Sequence, residues 1–379
     1  MLVRGDEQPT TEPGTSVGRP DRGQRAELAK LALRRLEQAV SHGGAAPAGP
    51  ASSTVVANAR ALRVSDFHLD YLQEDPGAMT GGSEQWVASV DVSWRFASDP
   101  GPARAPVSVT FERQGTATTI AAVGGQARRT PLWLATPVSV VRRPGVLVLA
   151  ADGGSATRRY AALAVRARAQ VGEVLGRSPG HVVVEVPSSE TELAAALSAQ
   201  PGEYDEVAAV TTTVDGSLTP DSPQHIFVNP ATYEPLRRPG SQVVMTHEVV
   251  HLATRAATAD LPLWLVEGFA DYVALSPVRL PLSATTAELR AQLRRDGLPD
   301  ALPLDSDFGA GGEHVGAAYE AAWLACVTLA DLGGRQRLVD YYEAVDDGGS
   351  RAAETREVFG VSHAFFIRSW RARLRDLAG

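Results

Sequence analysis

The stretch Val243-Val244-Met245-Thr246-His247-Glu248-Val249-Val250-His251 constrains this chain more than any other. Its apolar residues cover most of a helical circumference, which predicts a buried helix, yet two histidines and a glutamate sit in its middle. Residues four apart on an α-helix lie one above the other, so His247 and His251 can aim ring nitrogens at one point. Isolated charges in apolar surroundings are expensive, and a shared dication beside an open cleft supplies compensation. A catalytic zinc takes three protein ligands and keeps a fourth position free, so one more ligand must arrive from elsewhere.

The segment Trp264-Leu265-Val266-Glu267-Gly268-Phe269-Ala270-Asp271-Tyr272 can deliver it. Asp260 reads as an N-cap and Pro262 falls in a first turn, which predicts a second helix running back beside the first. Glu267 lies within that helix and is the candidate third ligand. Asp271, one turn further on, shares its face and can accept the ring N–H of a ligand histidine. Glu248 neighbours a ligand but is rotated away from it, where a carboxylate can take a proton from water.

Together the two segments resemble the gluzincin metallopeptidases, the group that includes thermolysin and the neutral aminopeptidases. The likeness is greatest to short bacterial peptidases of the MA-like kind, in which a Trp-x-x-Glu-Gly-x-Ala segment carries the third ligand. The resemblance implies a Zn2+ cofactor held by His247, His251 and Glu267, a peptide or protein substrate, and hydrolysis with Glu248 as general base. Relatives place an oxyanion donor in their helical part, which points to Tyr319, with His314 as the alternative. They also lay a small mixed sheet over the zinc helix, its edge strand facing the cleft. His225–Pro230 is the expected edge, where an extended peptide could add as a further strand. The Gly-x-Met-Glu-Asn segment of aminopeptidases is missing before the zinc helix, which favours an endopeptidase or an unassigned specificity. Two other readings use the same residues: a catalytically silent metallopeptidase fold kept as a binding scaffold, and a zinc amidohydrolase acting on a non-peptide amide.

The rest of the chain frames this pair of helices. Its 379 residues suffice for two domains, and 44% hydrophobic with 21% charged residues is ordinary for a globular protein. With 36 basic against 44 acidic residues and no basic run, nucleic acid is not an expected partner. A single cysteine, Cys326, excludes an internal disulfide and a Cys-rich metal site. No run of about 18 apolar residues is present to span a membrane. The first twenty residues lack the apolar core of a signal peptide. A cytoplasmic location follows, or the cell envelope or exterior if an upstream segment is missing.

The expected fold is α+β. Residues 1–22 read as a disordered tail rich in Pro and Gly. Residues 23–144 read as a small α+β domain: a helix over 25–41, then strands. Strict alternation from Trp86 to Phe96 predicts a half-buried strand, with others around 107–111, 120–123, 132–134 and 138–141. Helices followed by a twisted antiparallel sheet resemble the cone-shaped domains of the nuclear-transport-factor-2-like kind. Arg142-Arg143-Pro144-Gly145 marks the expected boundary. Residues 145–379 then give a mixed sheet, the zinc helix capped by Ser241, the ligand helix and a helical remainder, which is the gluzincin order.

Overall fold

The computed structural model describes residues 20–76, 84–125, 128–151, 153–219, 221–309 and 315–378. The tail expected over 1–22 lies outside them except at its C-terminal end, and His314 also lies outside. α1 (Arg22–Ser41) starts at a capping box, with Asp21 accepting from the backbone of Gln24 and Gln24 reaching back to Asp21. α2 (Pro50–Leu62) carries proline in its first turn, where a missing N–H is harmless. An antiparallel meander follows: β1 (Ser65–Glu74), β2 (Gln85–Arg95), β3 (Ala103–Gln114) and β4 (Ala117–Val123). The alternation seen in the sequence is realised in β2, whose Trp86, Ala88, Val90, Val92 and Trp94 all enter the core.

One expected strand is a helical turn instead. Leu132–Leu134 belongs to α3 (Leu132–Ala135). The buried Asn58 amide donates to the carbonyls of Trp133 and Thr136, each at 2.7 Å, and its own carbonyl accepts from Val138 N–H. Satisfied this way, the turn needs no neighbouring strand, and Leu132, Trp133 and Leu134 can all be buried at once.

The second sheet is built from β5 (Ser139–Arg143), β6 (Val146–Ala150), then α4 (Gly153–Leu175), β7 (Val182–Val186), α5 (Glu190–Leu197), β8 (Ala209–Thr213) and β9 (Gln224–Val228). Its spatial order is β5-β6-β7-β9-β8, with β6, β7 and β9 parallel and both outer strands antiparallel. Of the four residues 142–145, read from sequence as a domain boundary, Arg142 and Arg143 end β5, and Pro144 and Gly145 form the turn of the β5–β6 hairpin. The sheet's first strand is therefore drawn from the segment before that point. The expectation that His225–Pro230 forms the outer edge fails. β9 pairs on both sides and is buried along its whole length, and β8 is the last strand.

β6, β7 and β9 are buried on both faces, as parallel strands usually are. Period-2 alternation sends Val148, Val184 and Ile226 towards the helices. It sends Leu147, Leu149, Val183 and Phe227 into a second core shared with α1, α2 and the first sheet. The N-terminal part is thus the cover of the central sheet's other face.

The chain ends in helices: α6 (Pro230–Tyr233), α7 (Gly240–Thr254), α8 (Leu263–Leu275), α9 (Leu282–Thr285), α10 (Ala287–Asp296), α11 (Val315–Gly333), α12 (Arg335–Asp346), α13 (Arg351–Phe359) and α14 (His363–Ala378). Two small sheets and this helical remainder give the α+β class expected. Among the described residues, α11 alone is long and apolar enough to cross a membrane. In the fold it packs against α8, α10, α12 and α14, and Trp370 of α14 donates from its indole nitrogen to the Ala321 carbonyl at 3.1 Å. α8 approaches α11 so closely that a Cβ on Gly268 would stand 2.3 Å from the Ala322 carbonyl oxygen. That contact sets Glu267 of α8 beside Tyr319 of α11.

Candidate metal centre

α7 runs beneath the second sheet and is held mostly by burial of Met245, Val249 and Val250. Ser241, expected as its N-cap, lies inside the first turn, with Pro239 at the cap position; the Ser241 carbonyl accepts from the buried Tyr233 hydroxyl. α8 also starts without the expected Asp260 cap. Its first N–H, on Leu263, donates to Asp305 Oδ1 at 2.8 Å, so the capping acceptor arrives from a distant loop.

The two helices bring their polar residues together. His247 Nε2 and His251 Nε2 are 2.8 Å apart, and Glu267 Oε2 lies 3.1 Å from the first and 3.4 Å from the second. Behind this triangle, His247 Nδ1 donates to Asp271 Oδ1 at 2.9 Å. With that proton committed to Asp271, the lone pair of a neutral His247 points from Nε2 into the triangle. His251 Nδ1 is buried with no hydrogen-bond partner among the described residues, so that ring has no acceptor behind it of the kind Asp271 gives His247.

The donor set fits a zinc ion. Tetrahedral zinc at about 2.0–2.1 Å from nitrogen or oxygen places its ligand atoms about 3.3 Å from one another, close to the triangle's two longer edges. Two imidazole nitrogens at the third edge can share only one proton, whereas a dication satisfies every lone pair directed inward. The electrostatics agree. Burial opposes a charge on His247, but the hydrogen bonds to Asp271 and Glu267 outweigh it and raise its pKa well above the ordinary imidazole value. Burial would push Glu267 up, yet His251 and His247 hold it far below the usual carboxylate range. The pocket as a whole favours positive charge at its centre.

Two further groups face the same space. Glu248, buried next to His247, has its Oε2 2.7 Å from the hydroxyl of Thr211 on β8. The Tyr319 ring lies 6.5 Å from that of His247 and packs edge-on against Phe308 at 5.2 Å. Burial raises the Tyr319 phenol, and the carboxylates of Glu267, Asp271 and Glu248 raise it further, so it remains a protonated donor. His247, His251, Glu267, Glu248, Asp271 and Tyr319 therefore share one locus. Thr211 and Asp305 have no signal in the sequence: one is a threonine in a run of three, the other a loop acid whose partner is forty-two positions away.

No protein-family description and no curated protein matches this sequence. Among solved structures, a crystal structure of a two-domain M1 zinc metallopeptidase mutant bound to L-arginine is similar, with a TM-score of 0.36 and 13% identity. The match covers 83% of this chain, which spans 61% of the length of that protein.

Proposed function

We propose that this chain is a zinc-dependent peptidase in which His247, His251 and Glu267 hold the metal. The observation that carries the reading is the convergence of two imidazole Nε2 atoms and one carboxylate oxygen on a single point, with a separate buried glutamate beside them. Zinc in this cradle supplies an electrophile that polarises a carbonyl and acidifies water. Glu248 takes a proton from the attacking water as the new C–O bond forms, and passes it to the amine as the C–N bond breaks. The Tyr319 hydroxyl donates to the oxygen on which negative charge develops. Asp271 keeps the Nδ1 proton on His247, so that Nε2 remains a ligand.

In this reading the substrate strand pairs with β8 in place of β9. β8, not β9, is the outer strand beside α7, and its threonine touches Glu248. An extended peptide pairing along β8 meets the proposed base, which favours an internal peptide bond as the target. The N-terminal helices and meander, whose pattern resembles nuclear-transport-factor-2-like domains, act in this reading as the structural cover of the sheet.

The test is Glu248→Gln. It should retain stoichiometric zinc by elemental analysis while hydrolysis of a quenched peptide library falls by about 10²–10⁴-fold. Unchanged turnover ends the mechanism. Wild-type protein that binds zinc but cleaves nothing in the library, with chelator-treated protein as control, turns the assignment to a binding scaffold.

A further inference from the structure

We infer that Thr211 is a positioning residue for the general base, and that strand β8 thereby sets the orientation of Glu248; this rests on the peptidase reading of the centre. The Thr211 hydroxyl is 2.7 Å from Glu248 Oε2 and 3.0 Å from the Glu248 backbone carbonyl. A hydroxyl has one proton, and the shorter contact is to the carboxylate, where a charge-assisted bond is about twice as strong as a neutral one. Both residues are buried, at 8% and 5% exposure, so water does not compete freely for the carboxylate. Thr211 sits at the centre of β8, opposite Ile226 of β9 in an unbroken register.

This bond fixes more than a contact. A glutamate side chain has three rotatable torsions, and a general base must be held within hydrogen-bond reach of the proton it removes. With Oε2 bound to Thr211, rotation about the last torsion is restricted and Oε1 is the oxygen left to meet water. The backbone of the same strand is the outer edge of the sheet, so any substrate pairing there lies against the element that orients the base. Threonine is suited to both duties, since its branched carbon favours the strand and its hydroxyl supplies the donor.

Two substitutions of Thr211 separate positioning from packing. Thr211→Val keeps shape and loses the hydroxyl; Thr211→Ser keeps the hydroxyl and loses a methyl. Thr211→Val should retain stoichiometric zinc and a KM within about twofold of wild type, with kcat lowered about 10–100-fold. Thr211→Ser should recover most of that loss. A readout independent of turnover is the melting temperature of the zinc-free protein. Thr211→Val should lower it by about 3 °C in wild type and by clearly less in a Glu248→Ala background, where the carboxylate is already gone. Equal shifts in both backgrounds, or unchanged kcat in Thr211→Val when wild type hydrolyses peptide, overturn the inference. If wild type shows no hydrolysis, the peptidase reading fails by itself, and the melting comparison still decides whether Thr211 holds Glu248.

Discussion

Among the described residues, two clusters that join histidine to a pair of carboxylates are built in opposite ways. In the centre on α7 and α8, three ligand atoms converge within 3.4 Å of one another. In the other cluster, His225 of β9 lies between two acids. Its Nδ1 meets Glu185 Oε1 of β7 at 2.7 Å, and its Nε2 meets Asp99 Oδ1 of the N-terminal part at 3.1 Å. Phe96 stacks on the ring at 5.4 Å. Alternation puts Glu185 and His225 on the sheet face that meets the N-terminal helices and first sheet, so the cluster ties the two parts together. Each ring nitrogen there has its own acceptor, one on either side of the ring. The comparison teaches that residue type does not make a metal site. Donor direction does: convergent lone pairs call for a cation, and a linear array is complete with a proton.

The sharpest way to break that contrast is to remove one carboxylate from each cluster and measure zinc. Glu267→Ala should reduce bound zinc from stoichiometric to near zero and lower hydrolysis by at least about 10³-fold. Glu185→Ala should leave the zinc content of folded protein unchanged. A Glu267→Ala protein that keeps its metal removes this residue from the ligand set.

The next largest effect falls on stability and belongs to His225. Burial opposes its charge, but Asp99, and after it Glu185, outweigh that and raise its pKa to about 9. His225→Ala leaves two buried acids without their counter-charge, at a cost of about 3–5 kcal/mol in guanidinium unfolding at neutral pH. The pH dependence has a definite sign. The folded value lies above the ordinary 6.5, so the folded state holds the extra proton. Its stabilisation is fully present below about pH 6.5 and is lost as pH rises through about 9. Wild type should therefore lose stability across that window, and His225→Ala should lose much less. Parallel curves for the two proteins would mean the ring is neutral in the fold.

Much of the first cluster was legible in the sequence because its logic is local. Helical spacing alone aligns His247 with His251 and Glu267 with Asp271. The second cluster was invisible because its three members come from separate segments: the pairing of β7 with β9 sets Glu185 near His225, and Asp99 arrives from the stretch after β2 in the N-terminal part. The edge position of β9 rests on the gluzincin resemblance alone, and the topology puts that strand inside the sheet, where His225 makes a buried contact. The helix over 25–41 and the helical remainder were readable, whereas the turn at 132–134 was not. Three consecutive apolar residues suit a buried strand or a turn equally, and the decision rests on Asn58, more than seventy positions away.

The smallest expected effect sharpens the comparison most finely, because it alters an acid that orients without ligating. Asp271 resembles Asp99 in accepting from one ring nitrogen of a histidine, but the opposite nitrogen of His247 faces the triangle and not a second lone acid. Asp271→Asn can still present an amide oxygen to His247 Nδ1. It keeps the proton where it is and removes only the negative charge that strengthens the imidazole as a ligand. Asp271→Leu removes the acceptor too, freeing the ring to turn and to place its proton on Nε2. Competitive chelator titration should therefore show zinc affinity falling about tenfold in the asparagine variant and about 100-fold in the leucine variant. If the two variants weaken binding equally, the charge of Asp271 matters and its control of the tautomer does not. If neither does, packing and the contacts at Nε2 orient His247 without Asp271.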